Sequence, residues 1–266
     1  MIAIEGPDGV GRSTHIELLQ EWLEVQGYGV LTTGWTRSAL MSKTIESAKQ
    51  GNILDPWSHS LLYATDFADR LEHQIVPALR SGFVVLSDRY IYTAFARNTV
   101  RGCDRQWIRD VFGFAIMPDL VCYLRIDVDT LALRVIESKG MNYWESGMDM
   151  RLGADLYDSF KKYQGLLIAE FDRMAEEFGF QVVDGRRPLE EIQGALRARI
   201  LPVLKEGRTP RVSKAGGKPV TTPAEKAATE KAAAEKATEK VDDKPAEKTA
   251  DKPGESAPLK EPVPAT

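Results

Sequence analysis

Between an apolar run, Met1 to Ile4, and a helix-like segment, the chain reads Gly6-Pro7-Asp8-Gly9-Val10-Gly11-Arg12-Ser13-Thr14. The spacing Gly, four residues, Gly, basic residue, Ser/Thr is that of a loop that wraps phosphate, with arginine where lysine is expected. Glycines let the backbone curl until successive N–H groups point inward at a polyphosphate, and the helix behind the loop adds its positive N-terminal end. An ordinary glycine-rich strand-to-helix turn accounts for Gly6 and Gly11. It does not account for the basic-Ser-Thr triplet. Gly6, Asp8, Gly9, Val10, Gly11, Arg12, Ser13 and Thr14 are therefore the expected polyphosphate site, with the Ser13 hydroxyl offered to a divalent cation such as Mg²⁺.

A second chemical signal is Val84-Val85-Leu86-Ser87-Asp88-Arg89-Tyr90. An apolar strand that ends on an acid sets a carboxylate beside such a loop, where it holds Mg²⁺ directly or through water. Ser13 and Asp88 are the candidate metal ligands. Arg89 then stands at the carboxyl end of a sheet strand, where open α/β folds bind ligands, with a planar fork that suits phosphate. The plainer alternative has Asp88 capping the next segment and pairing with Arg89.

Elements that could position these groups follow from patterning. Up to about Leu204, short β-rich runs alternate with long amphipathic segments, which predicts an α/β fold: a parallel sheet of five strands, helices on both faces, in three layers. Strands are expected over Ile2 to Glu5, Gly29 to Thr33, Phe83 to Ser87, Leu120 to Ile126 and Phe180 to Val183. Helices are expected from Arg12 to Gln26, Ser38 to Gln50, Ser58 to Arg80, Arg105 to Phe114, Thr130 to Ser138, Leu156 to Phe178 and Leu189 to Leu204. Residues 205–266 contain no aromatic residue and are dominated by Ala, Glu, Lys, Thr and Pro. Such a segment cannot bury enough apolar area to offset the entropy of ordering, so a disordered tail is expected behind a domain of residues 1–204.

The 266 residues, 43% of them hydrophobic, suffice for one domain with a sizeable core plus that appendage. A net charge of −4 gives no sign of a nucleic-acid track or an anionic membrane surface. The chain enters a strand without a basic leader and has no apolar run of membrane-spanning length, so a cytoplasmic protein is expected. Cys103 and Cys122 stand far apart, without metal-ligand spacing, and read as reduced thiols.

These segments, in this order, resemble the thymidylate kinases, within the nucleoside monophosphate kinase group. The likeness lies in Ile4-Glu5-Gly6-Pro7-Asp8-Gly9, Leu61-Leu62-Tyr63-Ala64-Thr65-Asp66, Asp88-Arg89-Tyr90 and Pro118-Asp119-Leu120, and it spans about residues 1–200. It implies ATP on the phosphate loop, a nucleoside monophosphate as acceptor, dTMP above others, and a homodimer. By position it implies that Asp8 approaches the acceptor sugar, Arg89 its phosphate and Tyr63 its base. A tyrosine face stacks well on a pyrimidine. Asp66 and Arg70, one turn apart, either border that pocket or form a helical ion pair.

Departures from the family concentrate at the acceptor. Phe67 stands where the family has an arginine reading the pyrimidine edge, and Arg97-Asn98 where it has Tyr-Gln. The stretch after the second strand reads Thr33-Gly34-Trp35-Thr36-Arg37-Ser38. Phe67, Arg97, Asn98 and Arg37 thus join Asp8, Tyr63 and Arg89 as the expected acceptor set, with Arg37, Arg97 or Asn98 supplying hydrogen-bonding groups. A lid is expected at about residues 138–153, hinged on Gly140, Gly147 and Gly153. Arg134 and Arg151 are its candidates for stabilising charge on the transferred phosphoryl.

The expected reaction places Arg12 on the β- and γ-phosphates, Asp88 behind the metal, Arg89 on the acceptor phosphate and Arg151 above. The attacking phosphate oxygen is already ionised, so positioning and charge neutralisation suffice and no base is required. His15, His59 and His73 accordingly receive no role. Two alternatives stand beside this one: a kinase for a nucleoside or other small hydroxyl compound, with Glu5 or Asp8 as base, and a nucleotide-binding regulatory protein without turnover.

Overall fold

The computed structural model describes residues 1–51 and 55–207. Five strands, β1 (Ile2–Glu5), β2 (Val30–Gly34), β3 (Val84–Asp88), β4 (Leu120–Arg125) and β5 (Gln181–Asp184), pair in parallel in the order β2-β3-β1-β4-β5. The central strand β1 runs straight into the phosphate loop. Its carboxyl end therefore opens beside those of β3 and β4, the crevice where such sheets bind ligands.

Alternation along the strands divides the core in two. Ala3, Val85, Val121 and Tyr123 point to one face, which α3 (Pro56–Arg70), α5 (Ile91–Val100) and α8 (Leu156–Phe178) cover with Phe67, Phe95, Tyr163 and Phe171. Ile2, Ile4, Leu86, Cys122 and Leu124 point to the other, covered by α1 (Arg12–Val25), α7 (Val128–Ser138) and α9 (Leu189–Gly207) through Leu19, Leu131, Val135 and Leu196. Two shorter helices, α2 (Ser42–Gly51) and α6 (Arg105–Val111), complete the first layer. The three-layer α/β/α arrangement is the one the patterning predicts. The expected tail lies outside the described residues beyond Gly207, where α9 ends three residues past the anticipated Leu204 boundary.

Local chemistry explains the element ends. Asp55 accepts from the N–H groups of Trp57 and Ser58 at 2.9 and 3.0 Å, with Pro56 in the first helical position, so α3 begins two residues earlier than expected. The helix expected over Ser58 to Arg80 widens instead into a π-turn, Leu71–Ile75, before a last segment, α4 (Val76–Arg80). Pro77 sits just behind the widened turn and brings no N–H to an α-helical ladder.

One element is absent from the patterning altogether. The segment that forms α5 buries Ile91, Tyr92, Thr93, Ala94, Phe95, Ala96 and Asn98, so it has no polar face whose recurrence could announce a helix. Its cap is also remote. The Glu5 carboxylate at the end of β1 accepts from Tyr90 N at 2.7 Å, Thr93 N at 3.3 Å and Thr93 Oγ1 at 2.6 Å.

Burial pushes the Glu5 carboxyl up to about 7, against the pull of those hydrogen bonds, Arg12 and Arg89. A folded value above the unfolded one means that Glu5 favours the fold most below pH 4.5 and that this contribution is lost as the pH rises to about 7. Glu5→Gln, which keeps an acceptor oxygen and removes the charge, should flatten that part of the profile. Urea midpoints of both proteins from pH 4.5 to 8 measure it: the difference between them should grow toward pH 7 in favour of the variant, and a constant difference would refute the assignment.

Candidate active site

The phosphate loop is held open by backbone geometry that only glycine adopts easily. Gly9 has φ +92°, and a Cβ there would lie 2.3 Å from Val135 Cγ2, so the loop presses directly onto α7. Val10 is a core residue whose side chain points away, leaving its backbone to the loop, whereas Ser13 and Thr14 at the start of α1 are exposed. Ser13 Oγ donates to Asp88 Oδ2 at 3.1 Å, which brings together the two expected metal ligands.

Arg12 does not extend into open solvent. It is 6% exposed, with Nε on Asp88 Oδ1 at 2.9 Å and Nη1 on the carbonyls of Gly6 and, at 2.6 Å, Pro7. Its guanidinium thus braces the loop against the end of β3. Asp8, 3% exposed, is the meeting point of three arginines: Arg89 Nη2 and Arg97 Nη2, the latter at 2.6 Å, with Arg12 Nη2 3.8 Å away. Burial, with Arg97 alongside, brings the Arg89 guanidinium down to about 9, so it remains cationic at neutral pH. Arg89 also sits at φ +66°, a strained position for a side-chain-bearing residue directly after the strand.

Asp8, Arg89 and Arg97, but not Arg12, line a cavity of about 400 Å³ that passes from Asp8 to Tyr63 and is roofed by Asn142, Tyr143, Trp144 and Glu145. Four cations, Lys49, Arg89, Arg97 and Arg101, face two carboxylates, Asp8 and Glu145, so the cavity favours an anion. The roof belongs to the segment between α7 and α8, which contains the expected lid. It is tied down at Trp144 Nε1 to the Lys49 carbonyl (3.2 Å), Gln164 Nε2 to the Glu145 carbonyl (2.7 Å) and Arg101 Nε to Asp149 Oδ2 (2.8 Å).

Several expected residues lie elsewhere. Phe67 is 0% exposed and lines no part of this cavity; its ring meets Tyr90 edge-on at 5.1 Å inside the core, so it does not take the place of an edge-reading arginine. Arg37 is exposed at the end of β2 and has no hydrogen bond or ion pair among the described residues, and it does not line the cavity. Arg151 is exposed at φ +53° and likewise stays outside. Arg134 donates to the carbonyls of Gly185 (2.7 Å) and Arg186 (3.3 Å), bracing α7 against the loop before α9.

Asp66 and Arg70 resolve into a buried pair at 2.9 Å. Asp66 accepts from the backbone N–H groups of Thr36 and Ser38 as well, so the pair latches the β2–α2 loop to α3. Asn98, 1% exposed, faces the far end of the cleft from within α5 instead of from a loop.

Lys49, Arg101, Tyr163 and His59 line the cavity, and the sequence motifs single out none of them. Arg101 follows Arg97 by one helical turn, a spacing that becomes informative only once α5 is known to be a helix. His59 precedes Tyr63 by four residues on an expected helix, which places both on one face. His59 is packed at 4.5 Å against the Tyr63 ring, with the planes 29° apart. Burial, then the charges of Arg101, Arg97 and Lys49, bring it down to about 3, so it is neutral across the physiological range.

The chain matches the thymidylate kinase family over residues 4–195. It is 39% identical over 199 residues to the probable thymidylate kinase 2 of Saccharolobus solfataricus, covering 74% of this chain and 93% of that one. It is 38% identical over 143 residues to the probable thymidylate kinase of Thermococcus gammatolerans, covering 50% and 69%. The thymidylate kinase of Clavibacter michiganensis subsp. michiganensis is 35% identical to it over 214 residues, covering 77% and 96%. A match that begins in β1, takes in the phosphate loop and every wall of the cavity, and ends within α9 makes this chain a member of the thymidylate kinase family.

Proposed function

We propose that this chain transfers the γ-phosphoryl group of ATP to dTMP. The observation that carries the reading is the 400 Å³ cavity itself: arginines and Asp8 at the phosphate-loop end, Tyr63 and His59 at the other, a span with cations for a phosphate and aromatic rings for a base. ATP is assigned to the loop of Gly6 to Thr14, through backbone N–H groups and the N-terminal end of α1. Hard oxygen donors at Ser13 and Asp88, 3.1 Å apart, fit a divalent cation that keeps most of its shell for water and phosphate oxygens, and Mg²⁺ is the ion proposed. When bound, it supplies charge to the β- and γ-phosphate oxygens.

Arg89 and Arg97 are assigned to the acceptor phosphate. Both are held at present by Asp8, so an entering dianion exchanges one anionic partner for another in a site already arranged for it. Asp8, freed of one arginine, turns to the acceptor sugar. Asn98 is assigned to the base. No group need remove a proton, because the acceptor oxygen is ionised. Of the carboxylates that a hydroxyl-directed kinase would require, Glu5 caps α5 with 0% exposure, and Asp8 is released from its arginines only by an acceptor that brings its own phosphate. Mg²⁺, a homodimer and a cytoplasmic setting, in keeping with the buried free thiols of Cys103 and Cys122, belong to the same proposal. No described helix is long and apolar enough to cross a membrane.

A coupled assay with ATP and dTMP, dUMP, dCMP, dGMP and unphosphorylated thymidine tests the reading. The highest kcat/KM is expected with dTMP. Turnover of thymidine alone would overturn it, as would nucleotide binding with no transfer to any monophosphate.

A further inference from the structure

We propose that Gln193, on α9 and 178 residues of chain from His15, is a positioning residue for the donor phosphates, because it fixes the first turns of α1 on which they rest. The inference deepens the assignment of ATP to the phosphate loop given above and rests on it. Phosphate-binding N–H groups stay aimed only while the helix that carries them keeps its place. α1 has little of its own to hold its start. Gly11 at the N-cap brings no side-chain cap, and no acidic residue stands in the first turn.

His15 closes that turn. Its N–H donates to the Gly11 carbonyl at 3.2 Å, and its side chain is buried, 3% exposed. Gln193, 5% exposed, meets it twice: Nε2 donates to the His15 carbonyl at 3.0 Å and lies 3.0 Å from His15 Nδ1. A carbonyl only accepts, so the amide nitrogen must face it, and Nδ1, reached by the same NH₂ group, accepts as well. The ring proton therefore sits on Nε2. Burial, then the charge of Arg134, hold the imidazole below its usual value, which keeps it neutral and able to accept at neutral pH. Gln193 Oε1 is itself buried without a partner, so the nitrogen alone fixes the amide.

These contacts complete a ring around the loop. The turn before α9 presses on it from the other side: a Cβ at Gly185 would lie 3.0 Å from Val10 Cγ2. From Val10 the chain passes through Gly11 to His15, across two hydrogen bonds to Gln193, and back along α9 to Gly185. Farther along, Leu19 and Leu196 share the apolar core of this layer, and Arg197 lies 5.4 Å from the Trp22 ring. Apolar contact holds the two helices together without direction, whereas hydrogen bonds to one carbonyl and one ring nitrogen set their register.

Gln193→Leu keeps the volume and removes both donors. The measurements, on the full-length protein, are kcat, KM for ATP and for dTMP, and calorimetric Kd for adenylyl imidodiphosphate with Mg²⁺, a non-hydrolysable ATP analogue. In Gln193→Leu the ATP KM and the analogue Kd should both rise about tenfold, with the dTMP KM within about twofold of wild type. His15→Asn, whose Oδ1 stands in for Nδ1 as acceptor, should keep the analogue Kd within about threefold of wild type. A purely structural role moves both KM values together, or lowers the urea midpoint with the analogue Kd unchanged; either result would overturn the inference, as would a His15→Asn protein as weak for the analogue as Gln193→Leu. Absence of dTMP turnover in the wild type removes the acceptor reading alone, since the analogue still reports on Gln193. Absence of analogue binding by the wild type overturns both.

Discussion

Arg12→Ala is expected to lower kcat about 10³-fold, whereas Arg12→Lys should stay within about tenfold of the wild type. The alanine does two things at once. It removes a cation that the proposed reaction sets beside the γ-phosphate, where charge spreads during transfer, and it strips Asp88 Oδ1 and the Gly6 and Pro7 carbonyls of their donor. Lysine preserves the cation but not the fork. Arg12 reaches the loop carbonyls and the carboxylate on the neighbouring strand from different nitrogens, whereas a lysine has all its donors on one atom, so the lysine variant would leave Asp88 freer than it is now. The loss in Arg12→Ala should fall on kcat with little change in the acceptor KM, because the acceptor is held by other residues. Single-turnover rates with ATP·Mg²⁺ and saturating dTMP decide the matter. Equal rates in all three proteins would mean that the side chain never meets the transferred group.

Asp8→Asn should destabilise the protein by about 3–5 kcal/mol, since removing one member of a buried ionic cluster leaves the others uncompensated. Asp8 is 3% exposed, and the arginines that bond it, Arg89 and Arg97, expose about a fifth of their side chains. Their partial access to solvent favours the lower end of that range. The same geometry predicts a rescue. Inorganic phosphate supplies the missing charge where Asp8 supplied it, so it should raise the urea midpoint of Asp8→Asn much more than that of the wild type, in which Asp8 competes for the same arginines. Chemical denaturation with and without phosphate measures both effects. If phosphate stabilises the two proteins equally, Arg89 and Arg97 are not the anion site.

Much of the donor half was legible because its chemistry is local. A nine-residue run carries the glycines that permit the loop, the basic residue and the hydroxyl, and the acid that completes it stands at the end of a plainly apolar strand. Seven helices could be placed because each shows one polar and one apolar side, and five strands because each is a short β-rich run between helical segments. The acceptor half was legible only in part. Tyr63, Arg89, Arg97 and Asn98 come to the cleft, while Phe67 withdraws into the core and Arg37 and Arg151 stay in solvent. Spacing alone could not separate these groups, since a long side chain at a given position can pack inward or reach outward depending on neighbours from distant elements.

The amino-acid sequence by itself determined a glycine-rich phosphate loop after the first strand of a parallel α/β sheet, with Ser13 and Asp88, the proposed cation ligands, beside it. Tertiary structure alone decided where the arginines point. Asp8 gathers Arg89 and Arg97 across 81 and 89 residues of chain, Glu5 caps a helix that has no polar face of its own, and His59 packs on the Tyr63 ring. Local signals arise from backbone conformation and from the period of a single element. Charge pairing, burial and unmet hydrogen bonds belong to surfaces that come together only when those elements pack.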